Sequence, residues 1–292
     1  MHRKTFAGMA CLIAMALSGA TRAAEPAEAK PAAAARPEQP PHTWLLHLPG
    51  IAGTKWVDKE MTGGLRDAGY AGTLEVYDWT GNDPGLSALM AYKRNQVEAQ
   101  KIADKITARF RADPGVRIVL TGHSGGTGVG IWALEKLPDD VTVDTVMLLS
   151  SALSPQYDLS KALAHVRGKC YSFCSENDVL VLGAGTKMFG TIDGIKTDAA
   201  GEFGFVFPTD GNAGQYEKLV QKPYDKSWMQ YHNIGDHIGD MSRPFSRNIL
   251  APLLFDDVKP APVQAIKPPA AQHPPISATP RPGDAEAHPT KS

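Results

Sequence analysis

The chain has 292 residues, 42% of them hydrophobic, with 30 basic and 31 acidic side chains and a net charge of −1. That balance leaves no electrostatic footprint for nucleic acid or an acidic membrane surface, so polyanion binding is disfavoured. The length suits one large domain or two small ones.

The two ends shorten the folded part. Residues 1–23 open with His2, Arg3 and Lys4, continue with an apolar stretch from Phe6 to Leu17, and close on small residues with Ala20 or Ala23 as cleavage points. This is the pattern of a Sec signal peptide, which predicts a periplasmic or secreted protein. The apolar run is shorter than the ~20 residues of a membrane span, so no transmembrane segment is expected after its removal. Residues 24–41 form a Pro/Ala-rich linker and residues 259–292 a Pro-rich tail, and together they hold fourteen of the 23 prolines. Neither can bury enough apolar surface to offset its ordering entropy, which predicts disorder at both and one folded domain over 42–258.

Within that domain, Thr43 to Leu48 reads as a buried strand ending in Pro49-Gly-Ile-Ala-Gly53, and Lys55 to Ala68 as a helix closed by Gly69. Leu74 to Trp79 is a second strand. Arg94 to Phe110 is an amphipathic helix with Val97, Ile102, Ile106 and Phe110 on its apolar face. Arg117 to Thr121 is a short buried strand, followed without a spacer by Gly122-His-Ser-Gly-Gly126 and a helix to about Lys136. Then come a strand over Thr142 to Leu149, a short helix over Leu159 to Val166, and a strand over Lys169 to Cys174. From Leu182 to Gln215 glycines multiply and periodicity fades, with a short hairpin expected at Phe203 to Phe207. Lys226 to Tyr231 is read as the last strand and Pro244 to Leu254 as the closing helix. Strands alternating with helices predict a parallel, helix-covered sheet. Cys170 and Cys174 lie four apart in one strand, about 13 Å by strand rise, and are read as buried small hydrophobes. No segment has zinc-ligand spacing, and no metal or cofactor is expected.

The centre of the chain is the strand, sharp turn and helix around Ser124. Glycines two residues to either side suit a turn where a Cβ would collide with neighbouring backbone. The turn lifts Ser124 Oγ above the sheet and leaves the Gly125 N–H at a helix N-terminus, where negative charge is stabilised. Here the sequence resembles the α/β-hydrolase family, whose nucleophile elbow is Gly-x-Ser-x-Gly. The resemblance implies the α/β-hydrolase fold, here without a large cap domain, because no block of 50 residues separates the strand ending at Leu149 from that at Lys169.

A serine hydroxyl needs a base to take its proton and a third group to orient the base. The family's order along the chain is serine, acid, histidine. Ser175-Glu-Asn-Asp-Val179 follows the strand at Cys174 and places Asp178 as the acid, with Glu176 and Asp193 as rivals. Asn233-Ile-Gly-Asp-His-Ile-Gly239 supplies His237 as the base, with His232 as its rival, while His123 flanks the nucleophile from the other side of the elbow. The resemblance places the oxyanion donors at the N–H groups of Gly125 and of Ile51, or Ala52 in its stead, although Pro49 stands where the family commonly has histidine. Trp79 and Asp83 lie on the same sheet edge, as cleft-lining residues or as part of a solvated turn. The expectation is a serine hydrolase that cleaves a small-molecule or lipid-like ester through an acyl-enzyme, without a cofactor. Competing with it are an acyltransferase or amidase with the same triad, and a non-catalytic envelope protein that kept the fold.

Overall fold

The computed structural model describes residues 42–178, 190–207 and 213–255. The expected leader and both Pro-rich segments lie outside them. Six strands form one sheet: β1 Thr43–Leu48, β2 Thr73–Val76, β3 Arg117–His123, β4 Thr145–Leu149, β5 Cys170–Cys174 and β6 Leu219–Pro223. All neighbours pair in parallel, in the order β2-β1-β3-β4-β5-β6. The four strands flanked on both sides in this order, β1, β3, β4 and β5, are buried almost throughout, as sheets covered on both faces require.

Helices cover both faces. Trp44, Leu46 and Leu48 of β1, Ile118 and Leu120 of β3, and Val146 and Leu148 of β4 pack on one side with helices α3 Tyr92–Ala112, α4 Gly125–Leu134 and α5 Ser160–Ala164. Leu45, Val119, Met147, Leu149 and Phe173 face the other side, against helix α1 Trp56–Asp67 and the C-terminal run Arg243–Phe245, Ser246–Leu250 and Ala251–Phe255. The period of two along each strand thus divides the core into two layers. The C-terminal run carries one π-helical stretch, Ser246–Leu250, between its helical ends.

Most expected elements are present; two differ, one short helix is added, and one residue expected on a buried face is exposed. Lys226–Tyr231 is a 3-10 helix capped by Asp225, whose side chain accepts from the Ser227 N–H; the last strand is Leu219–Pro223. The aromatic pattern of Ser-Trp-Met-Gln-Tyr suggests a strand, but Asp225-Lys-Ser offers the backbone a local cap that a strand cannot use. The expected hairpin at Phe203 to Phe207 is absent: Ala200–Phe203 is a helical turn and 204–207 is irregular. A further short helix, α2 Leu86–Met90, precedes α3. Val97 is 56% exposed, and the buried face of α3 is formed by Asn95, Ala99, Ile102, Ala103 and Ile106.

Cys170 and Cys174 are free and buried, with burial pushing both thiols up to about 12. No described helix is long and apolar enough to cross a membrane.

Candidate active site

In a parallel sheet the loops leaving the C-terminal strand ends share one edge, and here they carry every expected site residue. Ile51 follows β1, Ser124 follows β3 and Asp178 follows β5, while His237 lies in the segment beyond β6.

Ser124 sits at the apex of the elbow with φ 52° and ψ −124°, a conformation rare for a residue with a side chain. Surrounding contacts hold it there. Its N–H donates to the Leu149 carbonyl at 2.9 Å, and its own carbonyl accepts from Thr127 N at 3.1 Å, from Thr127 Oγ1 at 2.6 Å and from Ala152 N at 3.3 Å. Glycine is required on either side: a Cβ on Gly122 would meet Thr127 backbone at 2.8 Å, and one on Gly126 would run into the carbonyl oxygens of Leu48 and Pro49. α4 is buried along its whole length, so the serine stands on a helix that has no solvent-facing side.

Asp178 is buried and accepts a 2.7 Å hydrogen bond from His237 Nδ1. The two side chains are 2% and 13% exposed, so the pair is shielded from solvent screening. The bond fixes the imidazole with its proton on Nδ1 and a lone pair on Nε2, the form a general base requires. Among the described residues no hydrogen bond joins Ser124 Oγ to His237 Nε2. The residue before the serine, His123, contacts the His237 segment: its ring lies 4.9 Å from the His237 ring, and its Nε2 donates to the His237 carbonyl at 2.8 Å. Burial, and then the nearby His237, push the His123 pKa down to about 3, so this imidazole is neutral and its carbonyl partner places the proton on Nε2.

The loop after β1 lies over the elbow. The Gly50 Cβ position is 3.4 Å from Ser124 Cβ, and that of Gly125 is 2.6 Å from Ile51 Cγ2. Among the described residues the N–H groups of Ile51, Ala52 and Gly125 donate to no acceptor. Ile51 is half-buried against Gly125, whereas Ala52 is exposed.

Trp79 is neither cleft-lining nor part of a solvated turn. It is 1% exposed, lies under Gly125, and its indole N–H donates to the Pro49 carbonyl at 2.7 Å. Asp78 accepts from Thr54 N at 2.7 Å, and Gly85 N donates to the Ile51 carbonyl at 2.6 Å. The β2 loop therefore braces the β1 loop. Asp83 is exposed and bonded to Ser87. The rival acids and base stand apart from the elbow: Glu176 is exposed, Asp193 is bonded through both oxygens to Ser154, and His232 caps the 3-10 helix with φ 62°.

Two polar groupings near the site have no counterpart in the sequence reading. His47, on β1, is fully buried; its Nδ1 lies 2.7 Å from Thr121 Oγ1 and its Nε2 2.9 Å from Asp58 Oδ1. Burial raises the Asp58 pKa, but the His47 bond and the Lys55 N–H outweigh it and hold the carboxyl below its usual range. A histidine inside an otherwise apolar strand is the signal that could have found this grouping. The other is Asp240 with Ser150, for which no sequence motif exists.

Strand order and the positive-φ elbow serine followed at once by a helix define the α/β-hydrolase fold. By sequence the chain matches no established family profile and no curated protein. Solved structures of similar shape include lipase B of Aspergillus fumigatus, at 14% identity and TM-score 0.46 over 75% of this chain and 54% of the lipase. A hydrolase described as CIB-like from Thermoplasma acidophilum matches at 16% identity and TM-score 0.40, over 73% of this chain and 86% of its own. The esterase domain of a Rhodothermus marinus protein matches at 14% and 0.38, over 74% and 87%. These are likenesses of fold.

Proposed function

We propose that this protein is an exported serine hydrolase that cleaves an ester-like bond through an acyl-enzyme. The observation that carries the reading is the shielded His237–Asp178 pair, its histidine ring 4.9 Å from that of His123, the residue before a serine held at φ 52° on a helix N-terminus. Ser124 Oγ attacks the carbonyl carbon while His237 Nε2 takes its proton; Asp178 keeps the ring oriented and stabilises the imidazolium. The resulting oxyanion accepts from the Gly125 and Ile51 N–H groups, which have no other acceptor among the described residues and need no reorganisation. The protonated histidine then gives its proton to the leaving alcohol, and water repeats the sequence to free the acid. Apolar Ile51 beside the oxyanion position and exposed Ile238 next to His237 suit an acyl or aromatic ester of low polarity.

The test is intact-mass labelling of wild type, Ser124→Ala and His237→Ala with a fluorophosphonate. One adduct that needs both residues supports the reading. A folded wild-type protein that takes no label overturns it.

A further inference from the structure

Asp240 lies three residues beyond His237, in the 3-10 turn Gly239–Met241, and is 5% exposed. Its Oδ2 accepts from Ser150 Oγ at 3.0 Å, and its Oδ1 has no partner among the described residues. Ser150 immediately follows β4 and is itself at φ 48°, a backbone conformation that persists only where its surroundings hold it. Asp240 lines a small cavity of mixed character, with Ser150, Ser175, Asn233 and Asp236 on its wall beside the rings of Phe173 and Trp228. The carboxyl therefore spans from the end of β4 to the segment that presents His237.

Among the described residues no cation answers this carboxyl. Burial first, then Asp178 and Asp236, push its pKa well above the usual range, and only the Ser150 bond opposes them among side chains. The other titratable groups on the cavity wall are Cys174, whose thiol is itself pushed up to about 12 with Glu176 contributing, and Tyr224. His237 is engaged by Asp178, and Arg243, the nearest basic residue downstream, is bound through Nε and Nη2 to Asp67. An ionised Asp240 would put a second buried negative charge beside the one that orients the base.

We propose that Asp240 is a positioning residue of the active site, a neutral carboxylic acid that fastens the β4 end to the His237 segment and leaves Asp178 as its buried anion. The inference rests on the hydrolase reading above. Its role is exerted through His237, without contact with the reacting atoms. As a neutral acid it holds the segment by hydrogen bonding and adds no charge to the field at the imidazole.

Two measurements test it. The infrared difference spectrum between wild type and Asp240→Asn at neutral pH is expected to show the C=O stretch of a protonated carboxyl in the wild type; finding carboxylate bands alone overturns the proposal. The pH profile of kcat/KM with p-nitrophenyl butyrate is the second. Asp240→Asn, which mimics the neutral acid, is expected to keep the acidic midpoint, whereas removal of a real carboxylate would lower it by about one unit. Ser150→Ala leaves the carboxyl in place and guards against misfolding of the other variant. It is expected to lower kcat about tenfold at unchanged KM through misplacement of the base. A loss of thermal stability in Ser150→Ala with kcat intact would reduce the contact to a structural one and overturn the positioning role. Failure of wild type to take a fluorophosphonate would instead remove the hydrolase reading, and the positioning role with it, while the infrared band still decides the charge state.

Discussion

Asp178 and Glu176 stand two residues apart in one loop, and burial separates their fates: Asp178 is turned inward onto His237 and Glu176 stays in solvent. Asp178→Asn is therefore expected to lower kcat/KM by about 10⁴ through the wrong imidazole tautomer, while Glu176→Gln stays within about threefold, both read with a p-nitrophenyl ester. A comparable loss in Glu176→Gln would move the acid. His123 adds a pH prediction. Because burial keeps it neutral down to about pH 3, the acidic limb of kcat/KM should fit one proton, and a slope of two would show a second histidine titrating with His237. Ile51, Ser124 and His237 were open to sequence reading because each lies in a short glycine-marked segment, and Asp178 because its loop follows β5 directly, without any glycine. Asp240 and Ser150 were not, since their meaning comes from a contact 90 positions apart in the chain. Trp79 was misjudged for a similar reason: a tryptophan after a strand does not announce that its N–H will find the carbonyl of Pro49.

Elements explain how Ser124 is held. The turn from β3 into α4 closes over the carbonyls of Leu48 and Pro49, with no space for a methyl group on Gly126. Gly126→Ala is expected to destabilise the fold by about 1–3 kcal/mol through overpacking, against a smaller cost for Gly115→Ala, where the nearest atom is 3.9 Å away; urea midpoints compare them. The His47–Asp58–Thr121 grouping ties α1 to β1 and β3 beneath the loop that carries Ile51. Asp58→Ala leaves a buried histidine without its partner and should cost about 3–5 kcal/mol. Asp58 has a lowered folded-state pKa, so its contribution is present above the unfolded carboxyl value and is lost as pH falls through the folded one. Wild-type stability should then decline more steeply in acid than that of Asp58→Asn. Reading short apolar runs as buried strands located β1, β3 and β5 well. It failed at Lys226–Tyr231, where a local aspartate cap outweighs an aromatic pattern that suits a strand.

At the scale of the molecule, two-layer burial accounts for the cysteines. Cys170 and Cys174 lie inside the sheet with raised thiol pKa values, so in the native protein neither of these two should react with iodoacetamide, read by peptide mapping that sets Cys11 apart, and both should label on unfolding in urea. Fast labelling of either in native protein would contradict that packing. The alternation of strands and helices made the fold class readable, because each element buries a face of characteristic period. Which loops lean on which was not readable, since those contacts join segments far apart in sequence. The full burial of α4 has one more consequence. Ser124 is anchored in a fully buried part of the chain, its own N–H bonded to Leu149, whose amides are expected to exchange with solvent only on global unfolding. His237 lies instead outside the sheet and the long helices, in a segment with Ile234 and Ile238 exposed, and this segment is expected to open at lower free energy than the sheet. Heating should thus silence the proposed activity by releasing His237 before the sheet melts, leaving a folded protein whose Ser124 is still held in its elbow and idle.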